Sequence, residues 1–298
     1  MESDLNVALV GDSVLDDHFW LDQPVNDVRA QTERTLKLAY PGRSVKVHNF
    51  AVDESTTSCV LRGRVPGANY RNGRRSANME PYPVGGDGVV RPLELLRKEK
   101  PTHVVLSVGG NDARLRFLNS LNPDVITKLM ITDGFVANLR RIVETIRAEI
   151  TPNIIIVYVY MPELKAVPLL SMLPPARILQ RLLVNFSKFF VELAVEFRLP
   201  IIDLSRTFNP HDKTHYGSTP IEPSNVSGQF IADLTAQVLA QFRFGEETKG
   251  KVFSGVGRDL RVQDLGPDAF RSFSYERELQ AFLDRKKVEK PTSTCVIG

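Results

Sequence analysis

Short apolar runs alternate with longer amphipathic stretches along the chain, and the alternation repeats five times. Residues 6–10, 44–52, 102–108, 153–160 and 199–204 are compact runs dominated by Val, Ile, Leu and Phe. Apolar residues on both faces predict strands of a parallel sheet covered by helices on each side. Helical periods fall between these runs, over residues 26–39, 92–100, 133–150, 175–197 and 224–242. The fourth run is followed by a long period with Pro175 near its start, as a helix N-terminus favours. In residues 133–150, Phe135, Val136, Leu139, Ile142, Val143 and Ile146 form an i, i+3, i+4 stripe. The helix over 224–242 opens on a capping Ser224. Five strand–helix repeats predict an α/β fold in three layers, with a parallel five-stranded sheet and right-handed crossovers.

Two segments lack this pattern. Residues 62–88 are rich in Gly, Pro, Asn and Arg and have no period; loops this long are usually functional or disordered. Residues 244–298 follow the last predicted core helix, which divides the chain into a domain over 1–243 and a C-terminal extension. Residues 275–288 of the extension carry an amphipathic helical period.

Composition narrows the class. The chain has 298 residues and a net charge of +3, with basic residues spread along its length, so nucleic acid is not an expected partner. Its two cysteines, Cys59 and Cys295, make neither a disulfide framework nor a zinc site. The acidic start lacks an apolar signal region, and no apolar run reaches the ~18 residues needed to span a bilayer. A cytoplasmic protein is the expectation. The terminal Cys295-Val-Ile-Gly298 has the outline of a prenylation box, but Gly is not a usual last residue.

Polar residues of catalytic type end the predicted strands: Gly11-Asp12-Ser13, Asp53-Glu54-Ser55-Thr56, Gly109-Gly110-Asn111-Asp112 and, before the last helix, residues 209–225. In a parallel sheet these ends meet at one edge, where ligands bind. Ser13 is placed to be a nucleophile on a turn, with backbone N–H groups of a following helix to hold an oxyanion. The plainer reading is helix capping by Ser13 or Asp12. Asn111 is placed to donate to the same oxyanion, or simply to form a turn. Adjacent Asp16 and Asp17 read as helix-start acids rather than as metal ligands. No Gly-x-Gly-x-x-Gly follows the first strand, so a dinucleotide-binding protein is not expected.

"LVGDSVLDD" and "VLSVGGND", about a hundred residues apart, resemble the first and third blocks of the SGNH/GDSL hydrolase superfamily over residues 5–243. The resemblance implies a serine hydrolase of carboxylic esters, such as acyl or acetyl esters of small molecules or sugars. It implies no metal or organic cofactor. Ser13 would be the nucleophile, and the Ser13 and Glu54 N–H groups with the Asn111 side chain would form the oxyanion hole. The second block departs from the family, with Glu54 in "NFAVDES" where a Gly is usual. The fourth block departs further, because "STPIEPSNVSG" puts Glu222 at the His position and Thr219 at the Asp position.

Three readings follow from that departure. Asp212-Lys-Thr-His215 has the Asp-x-x-His spacing seven residues upstream, which would make His215 the base and Asp212 its orienting acid. Glu222 would be the base if burial raised its pKa, whereas a carboxylate bonded to helix N–H groups would be lowered. Otherwise the site binds a ligand without hydrolysis. Asp12, Arg62, Tyr70 and Arg74 are candidates for substrate binding, the last three on a loop able to clamp an anion or simply to be solvated.

Overall fold

The computed structural model describes residues 4–66, 82–117, 122–158, 160–163, 175–266, 280, 281 and 283–285. Seven strands form one sheet in the order β2-β1-β3-β4-β5-β6-β7. They are β1 (Leu5–Gly11), β2 (Val45–Asn49), β3 (His103–Ser107), β4 (Ile154–Tyr158), β5 (Pro200–Asp203), β6 (Gly250–Ser254) and β7 (Arg261–Leu265). The first six are parallel, and β7 runs antiparallel to β6. Eight α-helices accompany them among the described residues: α1 (Val28–Ala39), α2 (Thr57–Arg62), α3 (Pro92–Glu99), α4 (Gly110–Phe117), α5 (Pro123–Thr132), α6 (Phe135–Glu149), α7 (Pro175–Phe197) and α8 (Asn225–Gln241).

The pleat sends successive strand residues to opposite faces. Val7, Leu9, Val105, Ile155, Ile202 and Phe253 pack under α1 and α8 with Val28, Leu36, Ile231 and Leu234. Ala8, Val10, Val104, Leu106, Ile154 and Ile156 face the other way and meet Leu96, Phe135, Leu139, Ile142, Phe186 and Phe190. Burying a side chain of this size contributes about 1.5–3 kcal/mol. These two cores make the predicted three layers.

The sheet has seven strands where five were predicted. The two additional strands come from residues 250–265, at the start of the predicted extension. Strand β7 escaped the pattern because four of its five residues are exposed, so it carries no apolar run. The helical period over 275–288 lies mostly outside the described residues.

Strand β2 lies on one side of β1 and β3 on the other. The chain therefore reverses its direction across the sheet between β1 and β3. The crevice above the carboxyl ends of these strands is where open α/β sheets hold ligands.

Candidate active site

Strand β1 ends where no side chain fits. Gly11 has φ +145°, and a Cβ there would lie 1.6 Å from the Ser107 carbonyl oxygen. This contact lets the Asp12 N–H reach Ser107 O at 3.0 Å, so β1 and β3 stay joined up to the turn. Asp12 then folds the turn on itself: its Oδ1 accepts from Val14 N at 3.2 Å, and its carbonyl accepts from Leu15 and Asp16 N. Ser13 projects from this turn and is buried. It does not stand at a helix N-terminus, as its sequence context predicted, and neither it nor Asp12 caps a helix. The next helical turn, a 3-10 turn, begins only at His18.

The loop from β5 to α8 brings Glu222 to Ser13. Tyr216 and Pro223 pair as an antiparallel bridge, and Gly217 N donates to Glu222 O at 2.8 Å, closing residues 217–222 into a tight loop. Ser218 N donates to Trp20 O at 2.9 Å, which clips the loop to the chain just after Ser13. Gly217 is required at that crossing, because a Cβ would meet Trp20 O at 2.5 Å. Within this frame the Ser13 side chain lies beside the Glu222 carboxyl and favours its ionised form.

Glu222 is not the anion of the α8 N-terminus. The first N–H groups of α8 bond to the Ser224 hydroxyl, which forms a capping box with Ser227. Burial consequently pushes the Glu222 carboxyl up to about 8, and nearby Asp53 and Asp12 push in the same direction against the effect of Ser13. Asp53 and Asp12 lie near it, and Asp112 lies near Asp12. Burial carries Asp12 up to about 8, assisted by Asp112 and Asp53. Asp53 rises to about 6 through burial and then Asp16. Asp112 is raised by burial although Thr57 N and Oγ1 donate to it at 2.9 and 2.8 Å. Asp53 and Asp112 were not among the site residues read from sequence, although both lie in the polar strand ends.

The two predicted oxyanion partners differ in the structure. Asn111, near the start of α4, donates one amide hydrogen to Ser55 O at 3.2 Å, and an amide has a second to offer. Glu54 adopts φ +59°, the left-handed conformation that glycine accepts without cost. Its N–H donates to Asp53 Oδ1 at 2.7 Å, so it is directed to a carboxylate rather than toward an oxyanion. Its side chain pairs with Arg64 at 2.7 Å and Arg114 at 3.4 Å.

His215 and Asp212 form a local turn. Asp212 Oδ1 accepts from Thr214 N and Oγ1, capping the 3-10 turn Lys213–His215. His215 Nδ1 accepts from Asn209 N at 2.8 Å, and its ring lies edge-on to Phe230 with centroids 5.1 Å apart. The Asp-x-x-His spacing thus forms this turn, with His215 Nε2 lying 3.9 Å from Asp212 Oδ2. Arg62 is exposed at the end of α2. Tyr70 and Arg74 lie outside the described residues. Among the described residues no group of three or more His, Cys, Asp or Glu is arranged to hold a metal ion, and no helix is long and apolar enough to cross a membrane.

No family model matches the chain, and no curated protein matches it in sequence. Solved structures do. A protein described as a GDSL-like lipase from Parabacteroides merdae superposes with a TM-score of 0.51 at 13% identity, covering 80% of this chain and 96% of that one. The lipase Lip_vut3 from a goat rumen metagenome gives 0.53 at 16% identity, covering 81% and 99%. These similarities, together with the layered sheet and the placing of Ser13 at its edge, give the chain the fold of the SGNH/GDSL hydrolases.

Proposed function

We propose that this protein is a serine hydrolase of carboxylic esters in which Ser13 is the nucleophile and Glu222 its base. The observation that carries this reading is the Ser13 side chain lying beside the buried Glu222 carboxyl, whose ionised form it favours. Serine is a weak nucleophile unless an adjacent group takes its proton. With Glu222 ionised, that proton passes to the carboxylate as Oγ attacks the acyl carbon. The Ser13 N–H and the free Asn111 amide hydrogen stabilise the developing oxyanion. Glu222 returns the proton to the leaving alkoxide, and the alcohol departs. Water then attacks the acyl-serine, giving its proton to Glu222 and on to Ser13, and the acid is released. The fold neighbours described as lipases support an ester as the bond attacked. A small acyl or acetyl ester of a compact molecule or sugar is the substrate class we assign.

A base at about 8 is roughly one-tenth ionised at pH 7. Turnover of p-nitrophenyl acetate should therefore climb about tenfold between pH 7 and pH 9 and vanish in Ser13→Ala. Turnover that persists in Ser13→Ala, or none at any pH together with no labelling of Ser13 by a fluorophosphonate, overturns the proposal. The latter outcome favours a second reading, supported by the protonation of Glu222 near neutral pH: a ligand-binding protein in which the Ser13–Glu222 pair holds an ester or glycan without cleaving it.

A further inference from the structure

A second concave site lies away from Ser13, between α2, α3 and α6. Its volume is about 420 Å³, and four arginines line it: Arg62, Arg91, Arg97 and Arg141. Two of these are held by neighbours. Arg91 pairs with Asp87 and Glu94, and Arg97 with Glu149. Arg62 and Arg141 form no ion pair among the described residues. Elsewhere on the surface Arg29, Arg64, Arg114, Arg116, Arg140 and Arg181 each find a carboxylate, while Arg258 and Arg261 form no ion pair among the described residues, so what marks this cleft is that two such groups lie together. Two unpaired guanidinium groups therefore share one cleft, while its two lining carboxylates, Glu94 and Glu149, already pair with Arg91 and Arg97.

We infer that this cleft binds the phosphate of a soluble phosphorylated small molecule, with Arg62 and Arg141 as its principal ligands. Two monocations match a phosphate dianion, and its oxygens can accept from both guanidinium forks. A concave wall concentrates the positive field that draws such an anion in. The volume suits a ligand of sugar-phosphate size. Asn138 and Thr145 add neutral polar groups for its remaining part. Helix α2 runs from Thr57, bonded to Asp112 of the candidate active site, to Arg62 at the cleft. Its six residues separate the two sites by about 9 Å along the helix axis, so the inference stands independently of the role of Ser13.

Calorimetric titration of the full chain with pyrophosphate and with fructose 1,6-bisphosphate, at low salt, tests it. Saturable binding is expected, weakened about tenfold in Arg62→Gln or Arg141→Gln and about a hundredfold in the double variant. Ser13→Ala and the remote exposed variant Arg258→Gln should bind as the unaltered chain does, and succinate should bind at least tenfold more weakly, about one charge-assisted contact's worth. The inference is overturned by the absence of saturable binding, by an unaffected double variant, by an equal loss in Arg258→Gln or by succinate binding as tightly. Binding only to phosphatidylcholine vesicles containing phosphatidic acid, with no soluble phosphate bound, overturns it as well.

Discussion

Replacing Glu222 with Gln should abolish esterase activity and at the same time stabilise the fold, increasingly so as pH rises. Gln keeps the shape and the place beside Ser13, but it cannot take a proton. The stability effect follows from linkage. The folded carboxyl titrates at about 8 and the unfolded one near 4.5, so between those values the folded state binds more protons. A raised acid therefore costs nothing below about pH 4.5, and stability falls as pH climbs toward about 8. Each pH unit in that window is worth about 1.4 kcal/mol, which sets a ceiling of roughly 5 kcal/mol. Partial hydration of the ionised group brings the usable figure to about 2–3 kcal/mol. Asp12 is raised in both proteins and cancels to first order. Urea unfolding of the two proteins at pH 5 and pH 8.5, beside fluorophosphonate labelling, reads both effects. A stability gap that stays constant with pH would refute the burial account of Glu222. Full labelling and turnover in Glu222→Gln would refute its role as base.

Three further outcomes are expected. Thr219→Asp with Glu222→His restores the usual residue types of this superfamily, and the pH of half-maximal esterase rate should move from about 8 toward the imidazole range of about 6.5; a profile that stays near 8 would assign the titration to another group. Gly11→Ala forces a Cβ onto Ser107 O, so thermal melting should report a loss of more than about 3 kcal/mol or no folded protein, and a near-native melting temperature would contradict the packing at the β1–β3 junction. Glu54→Gly relieves about 1 kcal/mol of left-handed strain and gives up ion pairs to Arg64 and Arg114 that are each worth under about 1 kcal/mol. Chemical denaturation should place that variant within about 1 kcal/mol of the parent.

The five predicted strands were legible because burial on both faces writes an unbroken apolar run, as in Ile154–Tyr158, and the edge strand β2 still alternates buried positions. Strand β6 opens on Gly250-Lys251, which interrupts its apolar run, and β7 is exposed at four of its five positions, so neither leaves that mark. Helices α2 and α4 were missed for a different reason. Each begins in the polar residues of a strand end, and α2 is only six residues long, too short for a period to show. At the site, Ser13 and Asn111 were legible from their places at strand ends. The Asp212–His215 spacing has a second use that the sequence does not separate from the first, since an Asp three residues before a His also caps a 3-10 turn, as Asp212 does through Thr214. Spacing along the chain could not reveal that residues 217–222 close on Trp20 and carry Glu222 inward, since that contact joins segments two hundred residues apart.

What singles out Glu222 among the buried acids is the lack of any structural reason for its burial. Asp112 accepts two hydrogen bonds from Thr57 and ties α4 to α2. Asp12 holds the turn through Val14, and Asp53 receives the Glu54 N–H. Asp17 receives Val28 N at the start of α1. Each of these carboxyls organises backbone, and an apolar replacement would leave that backbone unsatisfied. Glu222 receives no backbone N–H among the described residues; one of its oxygens has no partner, and it lies beside Ser13. A Gln or Leu of similar volume would fill the space without the cost of a buried acid. A carboxyl that weakens the fold above about pH 4.5, organises none of the backbone around it and lies beside a serine at the ligand-binding edge of the sheet is what the proposed proton transfer at Ser13 would require.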